Sequence, residues 1–310
     1  MSSHLPMRRL LLVVNPTAQG VTARSSEAVE QALERSFEVR IVHTRGRGHA
    51  QELTAGGVRD GADLVVTYGG DGTVNEMLNA VAGTDTPVSV VPGGGANVFA
   101  RAIGLPWDAV DAARYLAVNE TDAKRFPLGT VDGRWFASSA GMGFDAAIVR
   151  AVERYPRVKR ALGDWFFVWT GLRLFFLRGF DRRRPRIRMS TGSDPERWQG
   201  GLFLVIVQNL DPFTYLGKRP LRVNPDVRME SGLDAFGVRT MKASRILPIV
   251  VQAFSSASHL SDPSVVSVHD ERAIWLRADI PLPVQADGEY LGDRQEIHID
   301  LVPDAVRVLC

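Results

Sequence analysis

Cysteine is nearly absent: the one thiol is Cys310, the last residue. No intramolecular disulfide can form, so a reducing, cytoplasmic setting is expected. Long apolar runs are also missing, and nothing approaches the roughly 18 residues that a membrane-spanning helix needs. The short apolar run at 10–14 is too brief for a secretory leader and reads as a first strand. The final Val-Leu-Cys has the wrong cysteine spacing for prenylation. Net charge is small, 37 Lys and Arg against 35 Asp and Glu, which argues against a dedicated nucleic-acid binder. No Gly-x-x-x-x-Gly-Lys-Ser/Thr segment occurs, which excludes P-loop chemistry. Internal repeats and low-complexity linkers are absent too.

What remains is a globular composition, 45% hydrophobic and 23% charged over 310 residues. That length exceeds one typical core, so two domains are expected. Up to residue 125, buried-looking strands at 10–14, 39–43, 64–68 and 88–91 alternate with helical patterns at 22–35, 48–59, 74–82, 97–103 and 107–118. The alternation predicts an α/β domain with a parallel sheet, whose loops at the carboxyl ends of the strands form a ligand-binding edge. From 126 to 310 the rhythm changes to short apolar runs at 126–131, 135–140, 186–190, 202–208, 233–238, 265–267, 273–277 and 296–301. Asp132-Gly133 between the first two is a hairpin signal. This half reads as a mainly antiparallel β domain with helices inserted near 142–180 and 243–258.

The most informative stretch runs from Leu64 to Glu76. An apolar, β-branched run ends in Gly69-Gly70-Asp71-Gly72-Thr73, and Val74, Met77, Leu78 and Val81 then recur at helical spacing, placing Thr73 at or next to the N-cap. A strand, a glycine turn and a helix N-terminus together favour phosphate, and Asp71 stands where it can meet a phosphate-bound Mg²⁺. Gly and Asp are also ordinary turn formers, so the context carries the reading.

Gly69-Gly70-Asp71-Gly72-Thr73-Val74-Asn75-Glu76 resembles the signature of the diacylglycerol kinase catalytic-domain family, which includes bacterial soluble lipid kinases and sphingosine kinases. Four more segments fit the family in order: Asn15-Pro16-Thr17-Ala18-Gln19-Gly20, Pro92-Gly93-Gly94-Gly95-Ala96-Asn97-Val98-Phe99-Ala100-Arg101, Ser139-Ala140-Gly141-Met142-Gly143-Phe144-Asp145 and Asp287-Gly288-Glu289. The resemblance implies a lipid kinase that uses ATP and Mg²⁺ on a lipid hydroxyl, diacylglycerol first. Sphingoid bases, an NAD kinase-like activity and a silent lipid-binding protein are the alternatives. It also implies that the last strand returns to the first domain.

By the same resemblance, Asn15, Pro16, Thr44, Gly69 to Thr73, Asn75, Glu76, Gly94, Gly95, Asn97 and Arg101 bind the nucleotide. Thr44 has a turn or cap role as an equal alternative, and Arg101 a solvent ion pair. Gly95 stands where the family has threonine and Val98 where it has aspartate, removing one hydroxyl and one carboxylate. Glu289 is expected to be the base for the acceptor hydroxyl with Asp287 orienting it or the metal, while the sphingosine kinase branch favours Asp71. The segment Glu230-Ser231-Gly232-Leu233-Asp234 resembles a structural cation site, with Ser231, Leu233 and Asp234 as ligands. Ser231 replaces a carboxylate, so weak or no binding is expected there.

Seven of the 25 aromatic residues fall between Trp165 and Phe180, next to Arg178, Arg182, Arg183, Arg184, Arg186 and Arg188. The pattern suits either a lipid interface, with peripheral attachment at the inner membrane face, or a buried helix with a basic end. A lipid substrate and a membrane surface are the expected partners, nucleic acid is not, and a homodimer is left open.

Overall fold

The computed structural model describes residues 7–119, 123–177, 180–229 and 231–310. It divides into two compact units, Met1–Pro127 with Pro303–Cys310, and Leu128–Val302.

The first unit runs β1 (Arg8–Val14), α1 (Ala23–Leu33), β2 (Phe37–His43), α2 (His49–Arg59), β3 (Leu64–Gly69), α3 (Asp71–Val81), β4 (Val88–Pro92), α4 (Val98–Ala102) and α5 (Ala109–Val118). β3 and β4 are buried along their whole length, as strands covered on both faces must be. The strands lie in the order β4-β3-β1-β2, all parallel. The chain leaves β1 on one side for β2, then returns to the other side for β3. That reversal puts a switch point between β1 and β3, where open α/β sheets bind ligands. α1 is held by a capping box between Thr22 and Ser25, and buries Val29, Ala32 and Leu33. α3 buries Val74, Met77, Leu78 and Val81, the residues whose spacing marks the helix. It starts earlier than that spacing suggests: its N-cap is Gly70, and the amides of Thr73 and Val74 already donate to the Gly70 carbonyl.

β5 (Ala123–Val131) leads into the second unit. There follow β6 (Arg134–Phe136), β7 (Ser139–Gly143), α6 (Phe144–Glu153), α7 (Pro156–Leu162), α8 (Asp164–Phe176), β8 (Ile187–Thr191), β9 (Asp194–Leu202) and β10 (Leu204–Gln208). The chain continues through β11 (Thr214–Leu216), β12 (Arg219–Leu221), β13 (Leu233–Val238), α9 (Ala243–Ala253), β14 (Val265–Glu271), β15 (Ala273–Ala286) and β16 (Glu289–Leu309). The main path is β14-β13-β10-β7-β15-β16, with β8 also on β15 and β9 on β8. These pairings are antiparallel. One face packs Met142, Val205, Val207, Ala235, Ile274, Leu276 and Val284 into a continuous core.

Three differences from the sequence pattern have local causes. The helical stretch near 142–180 begins as strand and then breaks into three helices. Gly143 takes φ 102° as the N-cap of α6, Pro156 opens α7, and Gly163 takes φ 53° between α7 and α8. β9 went unrecognised because its residues from Asp194 to Arg197 are exposed, so no alternation marks it. β15 and β16 run much longer than the apolar runs, since Pro281 and Pro283 interrupt the pattern without ending the pairing. The register shifts between Arg277 and Leu282, and Pro283 still stands opposite Asp293.

β16 changes allegiance along its length. Its first part pairs antiparallel with β15, while Val308 pairs in parallel with Val88 of β4 and the Leu309 carbonyl accepts the Ser89 hydroxyl at 2.7 Å.

Candidate active site

Three loops lock together at the switch point of the first unit. The Asn15 amide donates to the Tyr68 carbonyl at 2.9 Å, and the Asn15 side chain donates to Thr73 Oγ1 at 3.0 Å, joining the loop after β1 to the first turn of α3. The Gly20 amide donates to the Gly93 carbonyl, and the Gly93 amide to the Gly69 carbonyl, both at 2.8 Å. Backbone meets backbone here without side chains between: a Cβ on Gly94 would come within 2.6 Å of the Gly70 Cα. Asn97 takes a left-handed conformation and closes its own loop, accepting the Gly94 amide and donating to the Gly94 carbonyl, both at 2.8 Å. Asp71 is the first residue of α3, and its Oδ1 lies 3.5 Å from the Phe99 amide at the start of α4. Two helix starts therefore bracket one carboxylate, with open space next to Gly72. Amides at a helix start and a glycine-lined backbone are the elements of a phosphate site.

Other residues expected at this site have structural partners. Both Glu76 oxygens accept amides from the start of α2, Gly48 at 2.7 Å and Ala50 at 2.9 Å. Its carboxylate is therefore turned to α2 rather than open to a nucleotide. Buried Asn75 is hydrogen-bonded by Asn79. Thr44 is buried at the end of β2, its amide on the Val14 carbonyl. Arg101 stacks 3.9 Å over the Trp107 ring. Pro16 is exposed in the loop after β1.

In the second unit, Asp287-Gly288 is the hairpin turn between β15 and β16, with φ of 46° and 75°. The Asp287 carboxylate accepts three successive amides, Ala137 and Ser138 at 2.8 Å and Ser139 at 3.0 Å. It thereby pins the β6–β7 connection to the hairpin tip. Glu289 is 13% exposed and pairs with Arg134 at 2.6 Å. Behind the hairpin, Asp145 sits at the start of α6, and burial pushes its carboxyl up to about 6.

The expected cation segment is filled from within. Both Asp234 oxygens lie 2.8 Å from His269 Nδ1, and Oδ1 also accepts the Asp270 amide. That hydrogen bond from Asp234 raises the His269 pKa. Ser231 Oγ donates to the Arg228 carbonyl, and Leu233 is paired with Glu271. Among the described residues no group of three or more His, Cys, Asp or Glu could hold a metal ion. Glu230 lies outside the described residues, as does Arg178.

α8 has two faces. Phe166, Thr170 and Phe175 are buried, while Trp165, Trp169, Leu172 and Phe176 are exposed at 67, 56, 47 and 54%. Arg173 lies over Trp169 and Arg182 over Phe175. Among the described residues no helix is long and apolar enough to cross a membrane.

Residues 9–131 match the diacylglycerol kinase catalytic domain, and residues 138–310 match the YegS C-terminal NAD kinase beta sandwich-like domain. The chain belongs to the diacylglycerol kinase catalytic-domain family. It is 24% identical over 295 residues to the diacylglycerol kinase of Bacillus subtilis (strain 168), covering 92% of this chain and 91% of that one. It is 26% identical over 291 residues to the lipid kinase YegS of Escherichia coli (strain K12), covering 91% and 89%. The crystal structure of a diacylglycerol kinase from Bacillus anthracis str. Sterne shares the fold, with a TM-score of 0.70 at 21% identity over 98% of this chain and 97% of that one.

Within this lipid kinase family plan, the sequence motifs leave several neighbours of the hairpin unannounced. Arg134 follows an ordinary Asp-Gly turn, and its partner Glu289 is 155 residues away. Gln285 and Glu153 lie outside every motif. Asp145 closes the Ser139 to Asp145 segment, yet nothing in that segment shows which hairpin it faces.

Proposed function

We propose that this lipid kinase transfers the γ-phosphoryl group of ATP to a lipid hydroxyl, with diacylglycerol as the acceptor and phosphatidic acid as the product. The observation that carries the reading is the locked set of glycine loops around Asp71 at the sheet's switch point. Backbone amides at the start of α3 hold the phosphates. Asp71, the first residue of α3, would share a Mg²⁺ with them, which suits an ion that keeps few protein ligands. Bound there, Mg²⁺ supplies charge neutralisation on the phosphate oxygens.

The remaining chemistry is small. The acceptor oxygen forms a bond to the γ-phosphorus as the bond to the β–γ bridging oxygen breaks, and ADP carries away that electron pair. Glu289 takes the hydroxyl proton, with its carboxylate held in place by Arg134. Asp287 acts on the backbone, fixing the hairpin that presents Glu289. The exposed aromatic face of α8, with Arg173 and Arg182 to Arg184 close by, docks at an anionic lipid surface at the inner membrane face.

Pure protein with γ-labelled ATP, Mg²⁺ and a panel of diacylglycerol, sphingoid base, other lipid alcohols and NAD tests the reading. Labelled phosphatidic acid is expected, and Asp71→Asn should abolish it at an unchanged melting temperature. Label in a sphingoid base or NAD alone would reassign the acceptor, and no transfer to any of them would leave a lipid-binding protein.

A further inference from the structure

The two amides on either side of Glu289 are tied to α6, one directly and one through Gln285 of β15. Ahead of it, the Gly288 amide donates to Gln285 Oε1 at 3.0 Å, and Gln285 Nε2 donates to Asp145 Oδ2 at 3.2 Å. Behind it, the Tyr290 amide donates to Glu153 Oε1 at 3.1 Å. Asp145 and Glu153 stand near the two ends of the same helix.

The carboxylate at 145 has a specific consequence. A glutamine amide can face either way, and its oxygen serves Gly288 only if its nitrogen meets an acceptor. An ionised carboxylate has acceptors and no donor, so it permits one orientation of Gln285. An asparagine at 145 would offer both groups and leave the amide free to turn. Although burial lifts the Asp145 carboxyl to about 6, it stays ionised at pH 7.5.

The arrangement costs stability. Asp145 Oδ1 is shielded from solvent without a well-aligned hydrogen-bond partner, and the nearby amides of Ala146 and of Asp145 itself offset only part of the cost of burial. Room for the side chain exists because residue 141 is glycine: a Cβ there would lie 2.2 Å from Asp145 Oδ2. A half-satisfied buried carboxylate is a poor choice for holding a fold together, and such sites are commonly kept for function.

We propose that Asp145, through Gln285, and Glu153 are positioning residues for Glu289, α6 clamping the backbone on both sides of it. The proposal rests on the reading of Glu289 as the proton acceptor. If Glu289 drifts, the loss falls on turnover rather than on binding of ATP or lipid.

The test combines kinetics, melting and amide exchange on the full chain. Asp145→Asn should lower kcat roughly tenfold to a hundredfold, the scale of a small misplacement. Both KM values should stay within about twofold, and the melting temperature at pH 7.5 should be equal or higher. Exchange of the Gly288 and Tyr290 amides should quicken. Gln285→Met is the second variant, expected to act in the same direction should Asp145→Asn fold poorly. Glu153→Gln, which keeps an acceptor oxygen, should recover most of the rate lost in Glu153→Ala. In a Glu289→Gln background, Asp145→Asn should slow turnover no further. A full additional loss there, a parallel fall of kcat and melting temperature, or unchanged exchange at 288–290 overturns the clamp. Unimpaired turnover of Glu289→Gln alone overturns the Glu289 reading, while amide exchange still decides whether α6 holds the hairpin.

Discussion

Asp287 sits beside Glu289 in one motif, yet its geometry assigns it a different task, and substitution can separate the two. Its carboxylate accepts three amides at 2.8 to 3.0 Å. Bonds to a charged group contribute about 1.5–3 kcal/mol each, and the sum overstates the loss because water can reach a half-buried turn. Asp287→Ala should therefore cost about 3 kcal/mol. About 1 kcal/mol more comes from placing alanine at φ 46°, a conformation that aspartate and asparagine tolerate better. Asp287→Asn keeps the oxygen that serves Ser138 and Ser139 but turns an NH₂ group toward the Ala137 amide, costing about 1–2 kcal/mol. With about 2–4 °C per kcal/mol for a domain of this size, the melting temperature should fall about 8–16 °C for Ala and about 2–8 °C for Asn. Calorimetry, paired with turnover measured well below both transitions, is the assay. An unchanged melting temperature with turnover abolished would refute the argument and return Asp287 to the chemistry.

Asp71→Asn should lower kcat by about 10²-fold or more at an unchanged melting temperature, because a neutral amide cannot balance the phosphate–metal charge; normal turnover would remove Asp71 from the site. Glu289→Gln should depress kcat while ATP affinity, read by titration, stays the same; the reverse pattern would make Glu289 a binding residue. Reversing Arg182, Arg183 and Arg184 to Glu should weaken sedimentation with anionic vesicles by about two orders of magnitude or more at low salt, since each arginine contributes about 1 kcal/mol there and each glutamate is repelled. Retention on vesicles would make the α8 face a surface without a lipid role. The pH dependence follows from burial, which raises Asp145 to about 6. A carboxyl whose folded pKa lies above its unfolded value of 3.8 binds its proton more tightly when folded, so its contribution to stability declines as pH rises from about 4 to 6. Asp145→Asn should accordingly melt higher than the parent at pH 7.5, and the gap should narrow to well under half by pH 4.5; a gap constant across that range would contradict the assignment.

The glycine loops of the first unit are legible in sequence because each is a local event. A β-branched run, a glycine turn and a helical period occupy about a dozen residues around Asp71, and the same grammar recurs after β1 and β4. α3 starts two to three residues before Thr73, which looks like a cap in sequence but whose hydroxyl accepts from Asn15, 58 residues away. The acceptor-side hairpin is harder to read. Asp287-Gly288 announces a turn, but Ala137, Arg134 and Asp145 reach it from 140 to 155 residues away. Charge pairing at such separations leaves no periodicity. Glu76 and Asp234 show the converse: a carboxylate in a suggestive motif can be taken up by a helix start or a histidine that the motif does not mention.

β16 also sets a timetable. During synthesis, residues up to 127 emerge well before the strand end that completes their sheet, because the Leu309 carbonyl that receives Ser89 lies 220 residues downstream. Until residue 309 has been made, one edge of β4 lacks its neighbour, so the sheet of the first unit can finish only after the second unit has been synthesised. A chain cut short of Val308 therefore carries a first-unit sheet whose β4 edge is unpaired there.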